Sequence, residues 1–474
     1  MTTVTQKKWP KFAAVLPALA LLLAGCKVGP NYARPQVTAP AAYRGADDAA
    51  VSSANQDSLG DQQWASIFHE PELQQLIRTA LTDNYDVRIA AERVLEQQAQ
   101  VRITRSQAMP TLSVGGTGIG ADLPSSLGGG LPSGAFAAGS FDLSAAWNPD
   151  FWGLYRRQNE AARAQLLAQV WAQKEVRLAL VQQVAASYFQ LRALDEQLRI
   201  AKETLKTRQQ SVDLTRTLES GGSVPLSDLR EAEELAYTAG AQIPLLEQQI
   251  QQQENGLRLL LGQDPGPVDH TDPSALNPPP QDLPVGLPSR LLERRPDILQ
   301  AEEQLIAANA QIGVARAQFF PQIAISGSGG VGGSEVSNLF DSSSLLVYGL
   351  GSLTQPIFEG GKLRGQLQLS EHQKEEMVLN YQKTIAGAFR DVSNALVAVD
   401  KQRAAREQQE KLVAAAQDAT RLARVRYQGG ATSYLEVLTT DSDLFSAQLN
   451  LVSTQEQEAL SLVQLYGALG GGWQ

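Results

Sequence analysis

The second half of the chain repeats the first half at an interval of about 208 residues. Ser220-Gly221-Gly222 recurs as Gln428-Gly429-Gly430, and upstream, at an interval of about 211, Pro110 recurs as Pro321. Other pairs are Arg216 and Arg424, Phe151 and Phe358, and Leu261-Gly262 and Leu469-Gly470. The interval changes inside Gly/Ser-rich stretches, where loop lengths vary without disturbing packed elements. The sequence therefore predicts two copies of one large structural unit rather than a short-period solenoid.

Composition narrows the classes of function. Ala and Gln are abundant and aromatic residues make up only 6% of the chain, which favours long, exposed helices over a thick core. The net charge of -10 argues against a nucleic-acid partner. The histidines His69, His270 and His372 have no ligand-like spacing, so we expect no metal site and no cofactor. Without a clustered nucleophile and base or a phosphate loop, the chain is not expected to be an enzyme.

The N-terminus has the pattern of a secretory signal peptide, residues 1–25. Three lysines in 7–11 precede the short apolar segment Phe12–Leu23. Leu23-Ala24-Gly25-Cys26 matches a bacterial lipobox, which predicts Cys26 as a lipid-attachment site; the alternative is an ordinary signal peptide with a chance cysteine. The residue after the cysteine is Lys27 and not Asp, which in many bacteria means delivery of the lipoprotein to the outer membrane. No other stretch reaches the 18 or so apolar residues of a membrane helix, so any crossing must use strands.

Each copy is predicted to contain a helix, a strand pair, a very long helix, a glycine turn and a returning helix. The first helices span Asp86–Ala108 and Asp297–Phe319, and the prolines that follow end them. The strand pairs lie in the Gly/Ser-rich stretches 111–148 and 322–355, where apolar residues alternate with small or polar ones. Runs of about ten residues suit a tilted membrane strand, with a soluble hairpin or a disordered loop as the alternatives.

The long helices are predicted over Leu154–Leu218 and Lys362–Tyr427, each on the order of 95 Å long. They return as Leu226–Leu261 and Tyr434–Leu469. A narrow apolar stripe along the long helices is typical of a coiled-coil seam. The stripe consists of Val181, Val184, Tyr188, Leu191 and Leu198 in the first copy, and Val378, Tyr381, Ile385, Ala388, Val392, Leu396 and Val399 in the second.

This plan has a consequence for assembly. Four strands cannot close a membrane barrel, because the smallest bacterial barrels have eight. Unclosed strands would leave backbone groups unsatisfied in lipid. If these are membrane strands, several chains must therefore share one barrel and extend their helices from it as a tube, through which something passes.

The chain resembles outer-membrane factors of the TolC/OprM type, and in particular NodT-like lipoproteins of tripartite efflux pumps. The motifs that carry the resemblance are Cys26-Lys27-Val28-Gly29-Pro30-Asn31-Tyr32 with Arg34-Pro35, Gly286-Leu287-Pro288-Ser289 through Arg294-Arg295-Pro296-Asp297-Ile298, Ala317-Gln318-Phe319-Phe320-Pro321, Pro356-Ile357-Phe358-Glu359-Gly360-Gly361, and the terminal run from Leu465-Tyr466-Gly467 to Trp473. They are spread over essentially the whole mature chain.

The resemblance implies a mainly helical protein with membrane strands. It implies a homotrimer with a 12-stranded β-barrel, a 12-helix periplasmic tunnel and a mixed equatorial region, in the outer membrane of a Gram-negative bacterium. The implied partners are a periplasmic adaptor and an inner-membrane transporter, with the RND type favoured. The expected segments are 1–25 (signal peptide), 26–83 (lipidated N-terminal and equatorial region), 84–262 (first repeat), 263–296 (Pro-rich equatorial linker), 297–470 (second repeat) and 471–474 (tail).

The turns between the long helices are the candidate periplasmic end. By resemblance, adaptor hairpins dock on Gly221, Gly222, Ser223 and Val224 and on Gly429, Gly430, Ala431 and Thr432, although the glycines also satisfy helix-end geometry. The candidates for a ring of carboxylates at the aperture are Asp228, Glu231, Glu436 and Asp441. In the family, an acid matching Glu436 belongs to the gate. Relatives often have Leu-Asp-Ala one turn later, where this chain has Leu438-Thr439-Thr440, so a lumenal Asp441 is in question. Acids that only stabilise the helix dipole are the alternative.

The sequence thus predicts a passive exit duct for drugs or other small molecules. A structural or adaptor lipoprotein is one alternative, although membrane-length strand pairs in both copies argue against it. Export of metal ions or of proteins is another, and the transporter rather than this chain would choose the cargo.

Overall fold

A computed structural model describes residues 27–40, 42–45, 58–123, 134–269, 284–333, 341 and 344–473. The predicted signal peptide and Cys26 lie outside the described residues, as does the Pro278-Pro279-Pro280 part of the linker. Within them the chain is mostly helical, with one four-stranded sheet, which confirms the predicted fold class.

The elements of the two copies correspond closely. Before and within the first copy lie α1 (Trp64–Ile67), α2 (Pro71–Asp83), α3 (Tyr85–Ser106), β1 (Thr111–Leu123), β2 (Gly134–Trp147), α4 (Leu154–Ser220) and α5 (Leu226–Leu260). After the linker follow α6 (Pro288–Arg294), α7 (Pro296–Ala317), β3 (Gln322–Gly333), β4 (Leu345–Thr354), α8 (Lys362–Gln428) and α9 (Tyr434–Ala468). The long helices α4 and α8 have 67 residues each, and the returning helices α5 and α9 have 35 each. Both α3 and α7 end just before a proline, as predicted.

The sheet has the order β1-β2-β3-β4 with every pair antiparallel. The central pair, β2 and β3, joins the two copies, and its register places Trp147 opposite Ile325. Because β1 and β4 each have a single neighbour in the described sheet, each presents a free edge.

The two faces of the sheet differ in polarity from β1 to β3, whereas β4 carries large apolar side chains on both faces. Leu112 pairs with Ala145 and Val114 with Leu143, so one face is apolar. On the other face the hydroxyls of Ser113 and Ser144 lie 2.8 Å apart and those of Thr117 and Ser140 lie 2.6 Å apart. Asp142 is the one charged residue among the strand side chains that the structure describes, and the Ser328 hydroxyl donates to its carboxylate over 3.3 Å. A sheet with these two faces suits lipid on one side and water on the other.

The chain forms two compact units, and each combines segments of both copies. One contains the sheet, with residues 27–36, Val94–Gln169 and Ala301–Tyr381. The other contains the described parts of Val37–Arg93, Val170–Gln300 and Gln382–Gln474. In the second unit the predicted seam is largely buried, with Val184 and Val392 both at 0% exposure, whereas Leu198 lies only half-buried.

No described helix combines the length and the apolar character that spanning a membrane demands.

Candidate functional site: the turns between the long helices

The turn after each long helix is built from backbone hydrogen bonds that end the helix. After α4, the Gly222 N–H donates to the Glu219 carbonyl over 2.8 Å and the Ser223 N–H donates to the Leu218 carbonyl over 2.9 Å. Gly222 has φ +73°, so it is the left-handed residue of a Schellman turn. Gly221 precedes it without a positive φ.

The second copy repeats this turn. The Gly430 N–H donates to the Tyr427 carbonyl over 2.9 Å, and the Ala431 N–H donates to the Arg426 carbonyl over 2.8 Å. Gly430 has φ +70°. A Cβ at Gly222 or Gly430 would meet no atom within 4 Å, so the need for glycine at these positions comes from the backbone conformation and not from crowding. Both predicted turns are therefore present, with the second glycine of each pair as the conformationally demanding one.

An apolar cluster holds the four helices together behind the turns. Its buried members are Val212, Leu229, Ala232, Ala236, Ala423, Tyr434 and Val437. The rings of Tyr427 and Tyr434 pack edge to face with centroids 5.2 Å apart. Burial, with the nearby charge of Asp441 as the next cause, raises the pKa of Tyr434 to about 12, so this phenol stays neutral at physiological pH. This cluster forms a packed base behind the turns and fixes the helix ends that carry them.

The two acids of the first copy lie near the same base. Asp228 is half-buried, and the Tyr427 hydroxyl donates to its carboxylate over 3.5 Å. Glu231 is also half-buried, one turn further along α5. Burial and then the charge of Asp228 raise the pKa of Tyr427, with a smaller contribution from Glu231. These carboxylates therefore keep enough solvent access to face a water-filled space.

Glu436 in the second copy is held by the turn itself. The Arg426 guanidinium donates to its carboxylate over 2.7 Å, and the Thr432 hydroxyl also donates to it. Because Arg426 belongs to α8 and Glu436 to α9, the pair ties together the two arms of this hairpin. It is partly exposed, so water and salt weaken the pair.

Asp441 has a different environment from the other three acids. Its side chain is 8% exposed and lies between two guanidinium groups. Arg208 donates from Nε over 2.7 Å and Arg424 donates from Nη2 over 2.5 Å. Arg208 is 3% exposed and also donates from Nη1 to the Leu235 carbonyl over 2.8 Å. Asp441 is therefore a buried link between α4 and the α8–α9 hairpin.

The internal repeat shows what is special about this link. At the interval of about 208, Arg424 and Asp441 correspond to Arg216 and Glu233. Arg216 donates to Glu233 over 3.3 Å, so the pair exists in both copies. Only the second copy adds the buried guanidinium of Arg208, whose counterpart in the repeat is Ala416. Residue spacing could have suggested Arg424 as a partner of Asp441, but nothing local points to Arg208.

A second set of contacts fixes the N-terminal segment in the sheet-containing unit. Arg157, 1% exposed, donates to the carbonyls of Val28 over 3.0 Å and Gly29 over 2.9 Å. Glu160 accepts from Arg157 over 2.9 Å and from Lys27 over 2.7 Å. Although burial opposes it, these hydrogen bonds lower the pKa of Glu160. We call Arg157 and Glu160 the N-terminal clamp; sequence analysis did not identify it.

Among the described residues, no group of three or more His, Cys, Asp or Glu side chains could hold a metal ion.

Known proteins are similar to this chain in sequence and in architecture. The family described as outer membrane efflux protein matches residues 76–263 and 287–471. The cation efflux system protein CusC of Escherichia coli O6:H1 is 34% identical over 456 residues, covering 96% of this chain and 98% of that protein. The probable efflux pump outer membrane protein TtgC of Pseudomonas putida is 35% identical over 460 residues, covering 97% and 95%.

Solved structures agree with the sequence relatives. The open state of the Neisseria gonorrhoeae MtrE outer membrane channel has a TM-score of 0.83 and 30% identity, covering 95% of this chain and 99% of that one. The outer-membrane channel OprN has a TM-score of 0.84 and 27% identity, covering 94% of this chain and 100% of that one.

Proposed function

The chain belongs to the outer membrane efflux protein family, and from this membership we propose that it is the passive exit duct for drugs or other small molecules. The family is one of transport channels and not of enzymes, and its members serve efflux systems in the outer membrane of Gram-negative bacteria. The observation that carries the proposal is the joining of a two-faced sheet to two long helical hairpins in one chain. A structural or adaptor lipoprotein would not need strands with an apolar face.

The duct needs more than one copy of the chain. Four strands with two free edges cannot satisfy their backbone groups in lipid. A homotrimer would supply 12 strands, which is within the range of bacterial barrels. The same assembly would place 12 helices, six long and six returning, around one axis and offer six glycine turns at its periplasmic end.

The turns are the proposed contact for a periplasmic adaptor. Both copies present the same backbone turn, at Gly222 and at Gly430, with open space around it. Repeated similar surfaces suit a partner with several similar hairpins. An inner-membrane transporter, with the RND type favoured, would complete the pump and supply the energy.

The four aperture candidates divide into two roles. Asp228, Glu231 and Glu436 are partly exposed, so we assign to them the proposed carboxylate ring that faces the aperture. Asp441 is paired and buried, so we assign to it the bracing of the hairpins behind that ring. When the aperture opens, the helices joined at Asp441 would then either stay in place or move together.

The proposed lipid anchor at Cys26 fits the described segment that follows it. Lys27, Val28 and Gly29 are each bound by the N-terminal clamp. An acylated residue immediately before them would be tethered to the start of α4, just after β2 ends. Labelling with radioactive palmitate, which should disappear in Cys26→Ser, tests the anchor.

The channel is tested by the conductance of the purified mature protein in a planar bilayer, at neutral and at acidic pH. We expect discrete openings that grow on acidification, as the carboxylates of the aperture lose charge. Openings that ignore pH would retain the duct and remove the carboxylate gate. A silent bilayer for both the native protein and Glu436→Ala would favour a bracing lipoprotein instead.

The cargo is tested separately. The relatives include both a cation efflux protein and a probable efflux pump protein, so metal-ion export is the second candidate. In a host lacking its own outer-membrane efflux proteins, restored resistance to drugs but not to a panel of toxic metal cations would support small-molecule efflux. The reverse pattern would support metal export.

A further inference from the structure

An apolar pair just after β4 is left uncovered in the single chain. Ile357 is 95% exposed and Phe358 is 89% exposed, although both belong to a short segment between a strand and a helix. Gly360 and Gly361 beside them would have no atom within 4 Å of an added Cβ. Large apolar side chains at such exposure are costly in water.

The first copy shows how the equivalent segment is covered. After β2, Trp152 stacks on Phe320 with ring centroids 4.9 Å apart and planes inclined by 22°. The Trp152 Nε1–H donates to the Pro321 carbonyl over 2.7 Å. Phe320 and Pro321 form the corner that leads into β3, so the segment that ends one copy's hairpin packs on the corner that begins the next hairpin.

Each of the two segments in this contact has a counterpart in the other copy, and these counterparts do not meet within the chain. Phe358 corresponds to Phe151, Trp152 itself corresponds to Glu359, and the Met109–Pro110 corner corresponds to Phe320–Pro321. Met109 is 52% exposed. The contact within the chain accompanies the pairing of β2 with β3, whereas β4 and β1 have no partner on their outer edges in the described sheet. The Met109–Pro110 corner therefore lies beside the free edge of β1, and the Ile357–Phe358 pair lies beside the free edge of β4.

We propose that Ile357 and Phe358 of one copy pack on the Met109–Pro110 corner of a second copy of this chain. The two kinds of segment that meet within a chain at Trp152 and Phe320 would then also meet between chains, through different side chains. The two surfaces differ, so the association is head-to-tail and closes into a ring when the rotation allows. Strand direction agrees, because β4 of one copy and β1 of the next would run antiparallel, like each pair within the sheet. The inference rests on the proposed multi-chain duct and names the contact that joins its chains.

The test is thiol cross-linking in membranes of cells that express the full chain. The double variant Phe358→Cys with Met109→Cys, treated with a short bis-maleimide, should give covalent dimers and larger oligomers. The matched control, Trp152→Cys with Phe320→Cys, should cross-link within one chain and give none. Each single variant alone should stay monomeric on a denaturing gel, while co-expression of a tagged Phe358→Cys chain with an untagged Met109→Cys chain should give a mixed dimer.

Two outcomes would overturn the contact. The first is absence of mixed dimers, with Ile357→Cys as well as Phe358→Cys, while the Trp152/Phe320 control cross-links within the chain. The second is efficient labelling of the thiol of the Phe358→Cys variant by a reagent confined to the lipid phase, which would make the apolar pair a membrane contact. Native gels of the uncross-linked protein separate the two levels of the argument: an oligomer without cross-links removes this contact alone, whereas a monomer removes the multi-chain duct.

Discussion

Replacing Asp441 with alanine should destabilise the helical end of the molecule more than any other single change at the turns. The carboxylate is 8% exposed and accepts hydrogen bonds from two guanidinium groups, at 2.7 Å and 2.5 Å. Its loss leaves Arg208, 3% exposed, as a buried charge facing a second positive charge. Breaking a buried pair in this way costs about 3–5 kcal/mol of unfolding free energy.

The repeat supplies a matched control. Glu233→Ala removes the corresponding carboxylate, whose two partners are both exposed: Arg216 at 53% and Arg230 at 67%. Because water already screens these pairs, we expect no measurable change in stability from this variant. Unfolding in urea, followed by helical circular dichroism, compares the two variants with the native chain.

A second step tests whether charge burial is the cause. The double variant Arg208→Met with Asp441→Leu removes both buried charges and keeps apolar volume, while Arg424, 36% exposed, can turn to water. Such replacements are often neutral or stabilising, so most of the loss seen for Asp441→Ala should be recovered. A cost for Asp441→Ala below about 1 kcal/mol, or a double variant no better than the single one, would refute the reasoning.

Three further predictions concern the turns and the N-terminal clamp. Gly430→Val should cost about 1–2 kcal/mol and lower efflux, because valine disfavours a φ of +70°, whereas Gly429→Val should cost less; equal losses in a urea titration would contradict this. Gly313→Ala would place a Cβ 2.7 Å from the Arg157 side chain, so faster proteolysis of the N-terminal segment is expected, and an unchanged cleavage rate would count against the clamp. Since the pKa of Glu160 is lowered in the folded chain, its contribution is present above about pH 4.5 and is lost as pH falls further. Between about pH 6 and pH 3 the native chain should therefore lose more stability than Glu160→Gln, measured as urea midpoints.

Sequence reasoning succeeded where a local pattern determines the structure. The stripe that includes Val184 and Val392 predicted the buried seam, and the glycine pairs predicted the turns. It could not identify Arg208 as a partner of Asp441, because 233 residues separate them and only the packed helices bring them together. Which glycine of each pair adopts the positive φ could be read only from the backbone of the structure, because the sequence does not distinguish the two glycines.

The N-terminal clamp was missed for a similar reason. The Gly29-Pro30 motif supported the resemblance, but a motif does not reveal that Gly29 lies against Gly313. A Cβ added at Gly29 would lie 2.5 Å from the Gly313 Cα. Such close approach depends on two segments far apart in the chain, and a single sequence carries no record of it.

The equal lengths of corresponding helices limit how such a chain can change during evolution. Both long helices have 67 residues and both returning helices have 35, so the two hairpins have the same length. Each long helix is ended by its own glycine turn, so its length is set by the number of residues before the turn and not by distant contacts. A lengthened descendant would therefore need coordinated insertions in both arms of both copies, and an insertion in one copy alone would leave the two turns at different heights.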